Sequence, residues 1–409
     1  MSIGMMPGSG SASNLPSIIH GRQESIRSNR YLGTDMNVLF QSRQTLFTVP
    51  GGDTIQLLKT KEYLERAGVR VGISTELEPD VAPYDVVHLF NLTRPQEIYL
   101  QALNAKKQHK KVVLSTIYMS YAEYDRHARR GMLGLLANAL SWGQMEYLKI
   151  MARAVKNSEI TKGTGHILLK GYRPLLESIL DMVDVLLPNS ESERKRLMKD
   201  FSKAGAKNHV IVPNSVDIGL FDPGTATVAR EIEPYRGCIL CVARIEGRKC
   251  QLDLVRAAKE LPWPLVLVGK PAPNHGAYFE QIKREAGPNV HVIGEVDHNL
   301  LPHYYKAAKV HALVSWMETT GLSSLEAGAM GCNLVITNKG DTRDYFRDYA
   351  FYCAPDSVGS IRLALAKAYE APVDPALRKH ILANFTWEKT AEKTLEGYKM
   401  ALGIKEGLS

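Results

Sequence analysis

The sequence predicts two α/β domains, each a parallel sheet wrapped by helices, and three observations carry that expectation. Short apolar runs alternate with segments of helical apolar spacing along nearly the whole chain. The runs are apolar throughout rather than every second residue, as expected of strands covered on both faces. The alternation is broken once, by a Pro- and Gly-bearing stretch from Pro213 to Arg236, and the 409-residue length leaves a domain of ordinary size on either side.

Residues 1–34 are rich in Ser, Gly, Asn and Met without periodicity and are expected to be a flexible extension. The first domain is then read as 35–213, the hinge as 214–236, the second domain as 237–386, and 387–409 as a terminal helix. Met36–Phe40 is the first strand. Thr48-Val49-Pro50-Gly51-Gly52-Asp53-Thr54 follows, then a helix from Ile55 to Ala67 with Ile55, Leu58, Tyr63 and Leu64 at helical spacing. The Gly pair is either a plain tight turn or a place where backbone N–H groups face an anion; Asp53 is expected to cap the helix. Tyr84–Asn91 and Lys111–Thr116 are further strands, and His88 in the first of them suits either the core or a ligand.

Residues 121–180 read as helical, including Met132–Trp142. From Arg126 to Arg173 there are nine Lys or Arg against Glu146 and Glu159. That balance fits helices lying on anionic membrane, or helices solvating their charged face. Asp181–Pro188 is a strand, and Ser190 is suited to cap the helix from Glu191. In the second half Cys238–Ala243, Leu265–Gly269, Val290–Val296, Val310–Val314 and Leu334–Thr337 are strands. Arg244 and Lys249 flank the first strand-to-helix turn: a guanidinium grips phosphate as a fork, an ammonium as a point charge. After Val314 comes Ser315-Trp316-Met317-Glu318-Thr319-Thr320-Gly321-Leu322-Ser323-Ser324-Leu325-Glu326-Ala327. Glu318 falls in a loop at a strand's carboxyl end and Glu326 about one turn into a helix. The small residues between them let amides approach a phosphate, and paired carboxylates accept sugar hydroxyls.

With 44 % hydrophobic and 23 % charged residues, the composition is that of a globular protein. The formal net charge of +8 suits anionic ligands or surfaces. The basic segment has no groove-reading or aromatic-interleaved pattern, so nucleic acid is not an expected partner. Five scattered cysteines, Cys238-x-x-Cys241 included, read as reduced core thiols. No apolar run is long enough to span a bilayer and no signal-peptide pattern opens the chain; a cytoplasmic location is expected, extending to the inner membrane face for a lipid-linked acceptor.

Glu318 and Glu326, with Gly321, Leu325-Glu326-Ala327 and Gly331 around them, resemble the E-x7-E signature of retaining glycosyltransferases of the GT4 family. Arg244-x4-Lys249 resembles that family's diphosphate pair, and Pro213-Asn214-Ser215-Val216-Asp217 its linker, with Ser215 where glycine is usual. The resemblance covers roughly 36–402. It implies the GT-B fold: two Rossmann-like domains facing each other across a cleft, the C-terminal helix crossing back onto the first. It implies transfer from a nucleotide-sugar to a glycan or lipid-linked acceptor hydroxyl, in a bacterial surface-polysaccharide setting. Glu318, Arg244 and Lys249 would act at the reacting centre. Glu326 would hold the ribose, and Gly321, Leu322 and Ser323 the sugar and phosphates. Gly294, Glu295 and Val296 would receive the base, and Gly51 and Gly52 would lie beside the diphosphate. Asp53, His88 and Tyr118 are acceptor-side candidates; many relatives carry a histidine after the fourth strand, where this chain has Ser115-Thr116-Ile117-Tyr118. No D-x-D pair occurs, so no obligatory metal or other cofactor is expected. A sugar-nucleotide 2-epimerase and a non-catalytic subunit of a glycan assembly complex are the alternatives.

Overall fold

The computed structural model describes residues 36–119, 123–124, 140–157 and 162–404. The expected extension at 1–34 and the expected helix at 132–142 lie wholly or mostly outside these residues. Six strands build the first sheet: β1 (Asn37–Gln41), β2 (Arg70–Ser74), β3 (Val86–Phe90), β4 (Lys111–Ser115), β5 (Val185–Leu187) and β6 (Asn208–His209). Six more build the second: β7 (Ile239–Val242), β8 (Leu265–Val268), β9 (Val290–Gly294), β10 (Val310–Leu313), β11 (Asn333–Thr337) and β12 (Phe351–Cys353). Every pairing among them is parallel. The orders are β2-β1-β3-β4-β5-β6 and β12-β11-β10-β7-β8-β9.

Those orders position the site. In each sheet the chain winds outward in one direction and then the other, so the loops after two neighbouring strands part and leave a crevice at the carboxyl ends. The crevice of the first sheet lies between β1 and β3, that of the second between β7 and β10. The loops beyond all four strands line one cavity between the domains.

Helices relevant to that cavity are α1 (Gly52–Arg66), α2 (Pro95–Lys107), α3 (Glu191–Asp200), α4 (Leu322–Ala329), α5 (Thr342–Phe346) and α6 (Trp387–Leu402). Helix α1 starts three residues earlier than its apolar spacing suggests. Ile55 and Leu58 are exposed, and the buried face is Thr54, Gln56, Leu57, Thr60, Tyr63 and Leu64. Two polar members of that face find partners elsewhere: Thr54 donates to the Leu46 carbonyl and Gln56 bonds Asn189. The cap of α1 is Gly51, not Asp53; Asp53 sits in the first turn, where a negative charge complements the helix dipole. Ser190 does cap α3, accepting from the Glu193 N–H at 2.9 Å.

Helix α6 belongs to the core of the first domain. Trp387, Ala391, Leu395, Tyr398 and Ala401 pack among Val38, Phe40, Leu57 and Leu187. Gly397 permits the approach, since a Cβ there would fall 2.6 Å from Leu187 Cδ2. All five cysteines are buried free thiols. Among the described residues no helix is long and apolar enough to cross a membrane.

Candidate active site

The cavity between the domains has a volume of about 700 Å³. Arg43, Gly51, Gly52, Asp53, Asn91 and Arg94 line its first-domain side; Arg244, Arg248, Lys249, His298, Glu318, the Thr319–Ser323 loop and Glu326 line the other. The two sides approach closely: a Cβ at Gly52 would lie 3.8 Å from Leu322 Cδ1.

A side-chain bond spans each crevice. In the second domain Lys249, from the loop after β7, donates to Glu318 Oε1, from the loop after β10. The Glu318 side chain is 8 % exposed. Burial alone would raise its pKa, but the Lys249 ammonium and then the Arg248 guanidinium bring it below the ordinary glutamate value, so Glu318 is a carboxylate. Arg248 also pairs with Glu246 at 2.7 Å, and Arg244 is exposed at the rim. In the first domain Asn91, after β3, donates to Asp53 Oδ2, after β1, at 3.0 Å. Arg43 takes both oxygens of Asp53 at 2.7 and 3.0 Å. Burial opposes ionisation of Asp53; Arg43 outweighs it and lowers the pKa.

Two helix amino termini point at the cavity. Gly51 caps α1 in an extended conformation, and Gly321 caps α4 with φ 75°. A Cβ at Gly321 would sit 3.1 Å from Leu313 Cδ2, so the turn demands glycine on both counts. In α4 no side chain occupies the first amides, which leaves that dipole end available to an anion, whereas in α1 the Thr54 N–H already donates to Asp53 Oδ1 at 3.0 Å. One turn into α4, Glu326 accepts from the Tyr305 hydroxyl at 2.8 Å and shares a 2.9 Å bond with His298 Nε2. That bond raises the His298 pKa against the effect of burial.

The structure therefore gathers Glu318, Arg244, Lys249, Glu326, Gly321, Leu322, Ser323, Gly51, Gly52 and Asp53 around one cavity. Five expected site residues are not there. His88 is fully buried, between Ser115 Oγ at 2.9 Å and Tyr398 OH at 2.7 Å, and burial pushes its pKa down to about 3. It is a neutral core histidine. Tyr118 is also buried, its hydroxyl donating to Asp200 at 2.7 Å; Ile117, with φ 44°, turns the chain so that Met119 rather than Tyr118 reaches the cavity. Gly294, Glu295 and Val296 do not line it either. The Gly294 carbonyl accepts from the Gly269 N–H, Glu295 pairs with Lys270, and Val296 packs on an apolar cluster. His298, two residues on, is the part of that segment that faces the cavity.

His298, Tyr305, Arg43, Asn91 and Arg248 are site residues that local reading missed. Only Asn91 carried a signal, as the polar end of a buried strand in an open α/β sheet.

Residues 229–384 match the family described as glycosyl transferases group 1. A D-inositol 3-phosphate glycosyltransferase of Mycobacteroides abscessus is 26 % identical over 392 residues, covering 86 % of this chain and 85 % of the relative. Among solved structures, sucrose-phosphate synthase of Thermosynechococcus elongatus superposes with a TM-score of 0.66 at 16 % identity, over 90 % of this chain and all of that one. HepE of Anabaena, solved with UDP and glucose, superposes with a TM-score of 0.62 at 13 % identity, over 88 % of this chain and 98 % of that one. Two parallel sheets facing across a cleft are the GT-B plan these proteins share. With residues 229–384 of that frame matching the group 1 glycosyl transferases, the protein is a glycosyltransferase.

Proposed function

We propose that the chain is a retaining, GT4-type enzyme that moves a sugar from a nucleoside diphosphate donor to a hydroxyl of a glycan or lipid-linked saccharide. The observation that supports this most is the Lys249–Glu318 bridge, set beside Arg244 and two glycine-capped helix amino termini in one cavity. The diphosphate lies against Arg244, Lys249 and the amides at Gly52 and Gly321–Ser323. Glu326 accepts the ribose hydroxyls and Glu318 those of the sugar. The bond from the anomeric carbon to the diphosphate oxygen breaks, and the acceptor oxygen bonds that carbon on the same face. Its proton passes to the departing diphosphate oxygen. Fixed cations aimed at the developing charge supply the acceleration. Asp53 is held by Arg43 and Asn91 beside the place where the acceptor enters.

Leu168 and Leu169 are exposed beside Lys170, which suits peripheral contact with an anionic bilayer and a lipid-linked acceptor. A thermal-shift screen against nucleotide-sugars identifies the donor, because a ligand of the native state raises its melting point. Turnover with that donor should then give a product of unchanged anomeric configuration by NMR, equally fast with EDTA present. An inverted product, a sugar altered without any acceptor, or no donor binding at all would overturn the reading.

A further inference from the structure

Away from the cavity, the domains are fastened by a buried ion pair. Arg196, on α3 of the first domain, donates from Nη1 to Asp341 Oδ1 at 2.7 Å and from Nη2 to Asp341 Oδ2 at 2.9 Å. Its Nη2 also reaches the Tyr118 carbonyl at 3.0 Å, which fixes the guanidinium to its own domain. The Asp341 side chain has no exposure, and that of Arg196 has 18 %. Ser190 Oγ donates to Asp341 Oδ2 at 2.9 Å, and Ser192 gives Asp344 two bonds, at 2.7 and 2.9 Å.

Asp341 is in turn tied to the Glu318 loop with little slack. Its N–H donates to the Glu318 carbonyl at 2.8 Å, and Gly340 pairs with Glu318 as an isolated parallel bridge. A Cβ at Gly340 would lie 2.0 Å from the Glu318 oxygen, so the two strands of backbone are as close as they can be. Thr320, two residues beyond Glu318, accepts from Asn214 Nδ2 at 3.1 Å. Arg196 and Glu318 thus stand at the ends of a short chain of bonds that crosses from one domain to the other.

We propose that Arg196 is a positioning residue: through Asp341 it fixes the Glu318 loop, so that domain closure and alignment of the Glu318 carboxylate occur together. The inference rests on the reading of Glu318 as a group that orients the donor sugar. A bidentate guanidinium–carboxylate pair fixes orientation as well as distance. Burial makes Asp341 dependent on that partner, because a desolvated carboxylate without a cation is strongly disfavoured. Opening the domains breaks the pair and lets water reach Asp341, and the Glu318 backbone then loses its support.

The test compares the full-length wild type with Arg196→Gln, Arg196→Lys, Asp341→Asn and the Arg196→Gln/Asp341→Asn double variant. Expected is a fall in kcat of about 10- to 100-fold for the Gln and Asn variants, the scale of an ångström of misplacement. Donor affinity by calorimetry should stay within about threefold, because Lys249 and Glu326 are untouched. Arg196→Lys should recover part of the rate, and the double variant should be no slower than the slower single one. Hydrogen exchange should quicken at Trp316–Gly321 and at the Asp341 amide in Arg196→Gln, or in Arg196→Lys if the Gln variant does not fold. Unchanged exchange there overturns the proposal whatever the activity, as does wild-type kcat or an additive double variant. A wild type that binds no nucleotide-sugar defeats the reading of the site instead, and exchange alone then decides the role of Arg196.

Discussion

Replacing Lys249 with Met leaves the Glu318 carboxylate buried without its main counter-charge, and the structure indicates how large the effect should be. The pair is desolvated, with side-chain exposures of 14 % and 8 %. Removing one partner of a buried pair costs about 3–5 kcal/mol. Arg248 remains close enough to act on Glu318, so the lower end, about 3 kcal/mol, is expected. That is a fall in Tm of about 6–12 °C for a domain of this size. The pH dependence is the sharper readout. In the wild type Glu318 has a depressed pKa, so it adds stability above its unfolded value of 4.5, which is lost as pH falls through the folded value. In Lys249→Met burial is unopposed by Lys249 and the folded pKa rises. The penalty is full above the raised folded pKa and is relieved as pH falls toward the unfolded value, so the Tm gap between wild type and variant should narrow as pH is lowered to about 4. Adding Glu318→Gln should restore stability at neutral pH but not turnover, and Lys249→Met alone should lower kcat about 10²- to 10³-fold. Differential scanning calorimetry from pH 4 to 8 checks this. A Tm gap independent of pH would refute the claim that Lys249 compensates a buried charge.

His298 has a raised pKa through Glu326, so its bond adds stability below the ordinary value of 6.5 that is lost as pH rises through the folded value; with 40 % of the side chain exposed, His298→Gln should lose less than about 1 kcal/mol at low pH and nothing at high pH, in calorimetry alongside NMR titration of the ring. Tyr305→Phe should weaken donor binding by about tenfold, from loss of the hydroxyl that holds Glu326, with calorimetric titration as the check. His88→Leu should cost about 2–4 kcal/mol in urea unfolding, because it strands the Ser115 and Tyr398 hydroxyls, while activity per folded molecule stays at wild type. Gly340→Ala should destabilise by about 3 kcal/mol and lower kcat, because its methyl overlaps the Glu318 carbonyl.

The frame of the molecule was legible because parallel α/β architecture writes itself locally: a buried strand, a loop, a helix, repeated. Glu318, Glu326, Arg244 and Lys249 were legible because each sits at a fixed offset from such a strand. His88 was not, since every residue of a strand covered on both faces is buried and the pattern gives no direction. The inward turn of Tyr118 depends on the backbone of Ile117, and periodicity says nothing about a single positive φ. Ile55 and Leu58 misled because α1 buries Thr54 and Gln56, whose partners, Leu46 and Asn189, lie outside the helix. The Arg196–Asp341 pair spans 145 positions, and no local signal could have joined them.

The first lobe owes part of its interior to residues made after the whole second sheet. Trp387, Leu395 and Tyr398 complete a cluster begun by Val38 and Phe40. During synthesis the first lobe therefore emerges with one flank bare, and it stays so until helix α6 clears the ribosome. A stop codon within the 16-residue helix α6 would wound the lobe translated well before it, and separately expressed halves would each lack something the other holds.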